Sequence, residues 1–206
     1  MYALVVNNSI TRVFPGPKGF EHNGNQYSPD IFYKWSKAEK EAIGLYEVET
    51  DSSNKKDDKW YINTNELYTF ENNKVIRSWG IATAKAHTDS LYTSQDNIDG
   101  LIPEGKSVGD VKVEGLKTQL IKIIKQQAAG ILQDTDWYIV RKADAGTAVP
   151  SSITTHRAAV RTKCAEMETA ITNAADTPAL ETLYTYTEQE DGSITRPLGE
   201  LPTLEG

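Results

Sequence analysis

Three histidines, His22, His87 and His156, are the side chains of this chain whose ordinary pKa suits a general base near neutral pH. A hydrolytic site needs a nucleophile, a base and a group that orients the base. The three histidines stand far apart in sequence, and none has a recognisable catalytic setting. His22 and His87 lie in polar segments and read as surface side chains. His156 falls on the apolar stripe of a predicted helix, and the position one turn on is Val160 rather than a second ligand, so it reads as a packing residue and not a metal ligand. Asp134-Thr135-Asp136 is the tightest acidic cluster outside the loops. It could serve acid/base work or hold a hard cation, or it could form a turn whose side chains accept backbone N–H groups, and the turn is the preferred reading. Asp57-Asp58 stands beside Lys55, Lys56 and Lys59, where opposite charges neutralise one another in a solvated loop. Cys164 on a helix face reads as a small core residue. No phosphate-cradling glycine pattern, CxxC pair, HExxH or GxSxG elbow occurs. The sequence therefore assigns no catalytic residue, no cofactor and no metal.

At 206 residues the chain can form one large domain or two small ones with real cores. A formal charge of −7 sets up a field that repels phosphate backbones, which predicts no nucleic-acid partner. A single cysteine excludes an intramolecular disulfide, and Met1 to Asn7 has neither the basic start nor the apolar length of a signal peptide. The greasiest stretch, Leu116 to Leu132, is interrupted by Lys117, Lys122 and Lys125. These features predict a protein made in a reducing cytoplasm, with no membrane insertion.

The elements that would position any site follow from periodicity. Tyr2 to Val6 and Ile10 to Phe14 flank Asn7-Asn8-Ser9, and Glu66 to Glu71 and Lys74 to Ile81 flank Asn72-Asn73; asparagine tolerates the positive φ of tight hairpin turns, so two β-hairpins are predicted. Between them, Ser36 with Glu39 forms a capping box and Gly44 a stop, which predicts a short helix over Lys37 to Ile43, followed by a strand from Leu45 to Glu49. Residues 50–59 read as an exposed loop. The Gly- and Asp-bearing run 93–112 reads as a linker.

Beyond it the period lengthens. Leu116, Leu120, Ile123, Ile124, Ile131 and Leu132 form one stripe; Ile153, His156, Val160, Cys164, Met167 and Ile171 form a second. Each stripe needs a partner, which predicts a helical hairpin. Trp137-Tyr138-Ile139-Val140 lies in the connection, and Trp137 is expected to plug the hairpin's open end. Asp176-Thr177-Pro178 starts a last short helix. The predicted fold is thus α+β: a small antiparallel β-rich unit over 1–92, a linker over 93–112, an amphipathic helical hairpin over 113–184 and an extended tail over 185–206. In that tail Ile194, Leu198, Leu201 and Leu204 are the expected anchors for a partner.

Tyr27, Phe32, Tyr33, Trp35, Trp60, Tyr61, Tyr68, Phe70 and Trp79 crowd the β-rich half. They could build a sugar platform on a host-surface carbohydrate-binding module, or pack the strands, and packing is the preferred reading.

Leu132, Asp134-Thr135-Asp136-Trp137, Arg141, Pro150, His156-Arg157 and Val160-Arg161 carry a family resemblance. The stretch resembles the C-terminal motif of bacteriophage tail fibre assembly proteins and related tail assembly chaperones, where a helix ends in Leu-x-x-Thr-Asp-Trp and a helix bearing aromatic-Arg-x-x-Leu-Arg follows. His156 replaces the aromatic and Val160 the leucine. Met1 to Val5 also looks like the small sheet that opens many phage tail proteins. The resemblance implies a non-enzymatic tail protein that acts by protein–protein contact with other phage tail or fibre proteins and is oligomeric in the assembly. It would occupy the host cytoplasm and then the virion tail, as a structural component or as a fibre assembly chaperone that leaves. Physically the motif reads as a clamp, with Arg157 and Arg161, one helical turn apart, reaching Asp134 and Asp136.

Overall fold

A computed structural model describes residues 1–204 and has the α+β fold, β-rich first and helical after. The chain divides into two compact units, Met1–Thr83 and the part from Ala84 on.

The first unit is built on β1 (Tyr2–Val6), β2 (Ser9–Phe14), β3 (Phe20–His22), β4 (Asn25–Tyr27), α1 (Ile31–Lys34), α2 (Lys37–Ala42), β5 (Leu45–Thr50), β6 (Tyr61–Ile62), β7 (Glu66–Glu71) and β8 (Lys74–Trp79). Its main sheet runs in the order β2-β1-β5-β8-β7. Both predicted hairpins form, and Asn7, Asn8, Asn72 and Asn73 all take φ between 50° and 59°, the left-handed pair that matches strand twist. A third turn of this kind, Asn23-Gly24, joins β3 to β4. The expected all-antiparallel sheet needs correcting: β5 pairs with β8 in parallel, Val48 opposite Val75. Parallel neighbours need a long connection, and residues 51–73 supply one.

Every residue of β1 is apolar because both its faces are covered. Leu4 packs with Phe14, Phe20, Ile31, Phe32 and Leu45. Ala3 and Val5 pack with Val75 and the half-buried Ile10, Val13, Tyr46, Val48, Tyr68 and Phe70. The Ser36–Glu39 capping box closes α2 as predicted. Gly44 ends that turn at φ +80°, where a Cβ would lie 2.4 Å from the Val5 carbonyl oxygen, so only glycine lets the turn meet β1. The aromatics do pack: of the nine named above only Tyr33 is exposed.

The second unit holds the rest: β9 (Thr83–Ala84) at the junction, then β10 (Ser90–Leu91), α3 (Ser94–Ile98), β11 (Val111–Val113), α4 (Leu116–Gln133), α5 (Asp136–Ala145), α6 (Ser151–Asn173), α7 (Thr177–Tyr184), β12 (Thr187–Glu188) and β13 (Ile194–Thr195). The predicted boundary at 92 and linker over 93–112 are both corrected. Residues 86–89 cap α4: the N–H groups of Leu116 and Lys117 donate to the carbonyls of Ala86 and His87 at 3.0 Å, and Gly115 N–H donates to Asp89 at 2.7 Å. A helix start leaves its first N–H groups unsatisfied, and this segment answers them. Within the expected linker, Thr93 and Asp96 form a capping box on α3, and β11 pairs back with β10. Asp96 is buried, and the Lys112 ammonium at 2.5 Å together with the Thr93 N–H and hydroxyl holds its carboxyl down to about 2.

The α4 and α6 stripes pack together as the helical hairpin. On α6 all six expected residues are buried. On α4 the buried row is Leu116, Leu120, Ile124 and Ala128, whereas Ile123 is half-exposed, because a straight row at four-residue spacing faces α6.

Candidate functional site

Of the stretch Leu132 to Arg161, four residues, Leu132, Thr135, Asp136 and Arg157, meet at the corner between α4 and α5. α4 ends at Gln133, Thr135 enters at φ −112°, and α5 starts at Asp136. Arg157, on α6, is buried and reaches into this corner. Its Nη1 donates at 2.7 Å to the Leu132 carbonyl and at 2.7 Å to Thr135 Oγ1, while Nη2 pairs with Asp136 Oδ1 at 2.8 Å. Thr135 is itself 3% exposed, and its hydroxyl donates a hydrogen bond to the Leu132 carbonyl at 3.0 Å. One guanidinium thus ties the last turn of α4, the corner and the first turn of α5 to α6. A planar fork of donors suits this task as an ammonium would not.

The expected clamp is corrected in two members. Arg161 donates to the Arg157 carbonyl at 3.4 Å, and among the described residues it makes no ion pair with Asp134 or Asp136. It lies one turn beyond the corner that Arg157 already fills. Asp134 forms no ion pair among the described residues either and stands exposed at the C-terminal cap of α4. The polar partners that the sequence did not single out are Thr135 and the Leu132 carbonyl. Both lie inside the motif, and the signal that could have found Thr135 is its place between two carboxylates at a helix start.

Trp137 does not plug the hairpin. Its segment is a ten-residue helix, α5, with no buried residue, and Trp137 is 51% exposed. The ring lies 3.8 Å from that of Tyr138, with the Arg141 guanidinium over it at 4.7 Å. Ile139 and Val140 are exposed as well. Gly146, at φ +66°, ends the helix.

The expected C-terminal anchors separate. Leu198 is 2% exposed and its N–H donates to the Leu183 carbonyl at 3.0 Å, so it belongs to this unit's own core and is no partner contact. Leu201 is half-buried; Ile194 and Leu204 are exposed. The segment from 185 is folded rather than extended, with β12 and β13 paired; the last two residues of the expected tail lie outside the described residues. Arg196 organises it: its Nε donates to the Gly199 carbonyl at 3.1 Å and pairs with Glu200 at 2.8 Å, and its guanidinium lies 5.2 Å from the rings of Tyr184 and Tyr186. Burial pushes the Tyr184 phenol up to about 12, with Arg196 opposing.

His22 ends β3, His87 lies in the segment that caps α4, and His156 is buried in α6. Among the described residues no three His, Cys, Asp or Glu side chains gather as metal ligands do, and no helix is long and apolar enough to cross a membrane. No protein-family model matches the chain, and comparison with curated proteins and with solved structures finds no match.

Proposed function

We propose that this chain is a non-enzymatic protein of a bacteriophage tail apparatus that acts through protein–protein contact, with α5 as its contact element. The observation that carries the reading is α5 itself. Its root is locked by Arg157 and Thr135, while Trp137, Ile139 and Val140 stand in solvent. An exposed tryptophan on a helix fixed at one end is a low-entropy anchor of the kind that dominates binding energy at protein interfaces. The Thr-Asp-Trp motif and its arginine supply the link to tail proteins. Between the two roles in that apparatus, a retained structural component is the leading reading and a departing fibre chaperone the second.

The test is mass spectrometry of purified particles of the phage that encodes the chain, together with affinity capture of its fibre and tail proteins from infected cells. Presence in particles supports the structural component. Capture with a fibre or tail protein but absence from particles makes it a chaperone. Absence from both overturns the proposal. Trp137→Asp is expected to weaken the association at least about tenfold.

A further inference from the structure

The arginines that are not exposed differ in one respect. Arg77 pairs with Glu66, Arg157 with Asp136 and Arg196 with Glu200, whereas Arg141 of α5 makes no hydrogen bond or ion pair among the described residues. Its Nε is buried with no acceptor. Taking a guanidinium partly out of water is costly unless its N–H groups find acceptors. The acids of its own helix do not serve it: Asp136 is taken by Arg157, and Asp144, one turn on, stands exposed without an ion pair among the described residues.

What holds Arg141 in place is aromatic. Its guanidinium lies 4.7 Å from the centre of the Trp137 ring and 5.5 Å from that of Tyr138, and the two rings lie 3.8 Å apart. Stacking fixes the plane of the fork without using its donors. The two Nη groups are thereby held in one orientation, without an acceptor, on the helix that exposes Trp137 and Val140. A planar fork of N–H donors matches a carboxylate or a phosphate, and a side chain already oriented loses little entropy when it is engaged. The formal charge of −7 opposes a phosphate backbone more than it opposes a single carboxylate, and the apolar side chains beside the fork suit a carboxylate with an apolar neighbour.

We infer that Arg141 is the polar anchor of the α5 contact and takes the carboxylate of an aspartate or glutamate of a partner protein, whose apolar neighbour covers Trp137 and Val140. The inference rests on the reading of α5 as the contact element and adds the chemistry that its partner must carry.

The test is an NMR titration of the full chain with acetyl-Leu-Glu-Leu-amide, read at the Nε–H of Arg141 and the indole N–H of Trp137. Saturable shifts at both are expected, at least about tenfold weaker with acetyl-Leu-Gln-Leu-amide or, read at Trp137, when the chain carries Arg141→Gln. A thermal melt checks that Arg141→Gln folds; if it does not, the glutamine peptide decides. Absence of saturation by about 10 mM overturns the inference, as does equal binding of the glutamine peptide. Inorganic phosphate binding as tightly as the glutamate peptide overturns it too, because the fork would then be a phosphate site. Capture of fibre and tail proteins separates this inference from the reading beneath it. Loss with both Trp137→Asp and Arg141→Gln is expected. Loss with Trp137→Asp alone keeps α5 as the contact element and overturns the carboxylate anchor, whereas capture that survives both variants overturns both.

Discussion

Arg157 and Trp137 are neighbours in one motif with opposite surroundings, and truncating each should show it. Arg157→Ala takes from the buried Thr135 Oγ1 its guanidinium donor, leaves the Leu132 carbonyl with only the N–H and hydroxyl of Thr135, and leaves the half-exposed Asp136 without its cation. Destabilisation of about 3 kcal/mol is expected. Arg157→Lys should recover only part of it, since one ammonium cannot span three acceptors. Trp137→Ala removes a half-exposed ring and its contact with Arg141, and should cost about 1 kcal/mol or less. Denaturant melts of the full chain followed at 222 nm check both, and a larger loss for Trp137→Ala than for Arg157→Ala would refute the assignment of roles.

At the scale of elements, α3 with the β10–β11 pair is held by an acid whose ionisation matters. Lys112, first, and the Thr93 N–H and hydroxyl keep the Asp96 carboxyl at about 2 when folded, against about 3.9 in an unfolded chain. Because the folded value is the lower, the contribution is fully present above about pH 4 and is lost as pH falls toward 2. Asp96→Asn is therefore expected to melt below the parent at pH 7 and to converge with it near pH 2. A gap that stays constant over that range would show that Asp96 acts by shape rather than by charge. On α5 only Tyr138 and Arg141, three residues apart, are half-buried, which leaves Trp137, Ile139 and Val140 exposed.

For the whole molecule, the division after Thr83 makes a fragment prediction. A fragment beginning at Ala84 keeps the Ala86 and His87 carbonyls and Asp89 on the start of α4; one beginning at residue 93 loses all of them. Loss of a helix cap costs about 1 to 2 kcal/mol, and two further carbonyl partners go with it. The shorter fragment is expected to melt several degrees lower, and equal melting temperatures would return the boundary to the neighbourhood of residue 92.

Local patterns were legible in the residues themselves. The paired asparagines marked hairpin turns because few other residues accept their φ; Ser36 with Glu39 and Asp176 before Pro178 marked helix starts because orphan N–H groups need acceptors; the α6 stripe marked a buried face because its spacing matches the helical repeat. The arginine clamp was legible as a kind of contact but not in its partners. What required the tertiary structure were choices among distant groups. Only the assembled fold could pair β5 with β8 in parallel, place residues 86–89 on α4 and bury Leu198 with its N–H on the Leu183 carbonyl. It also turned Trp137 outward and gave Arg157 rather than Arg161 the corner. The physical reason is that hydrogen-bonding periodicity and turn chemistry act over a few residues, whereas burial is a competition for one enclosed space among segments far apart in the chain.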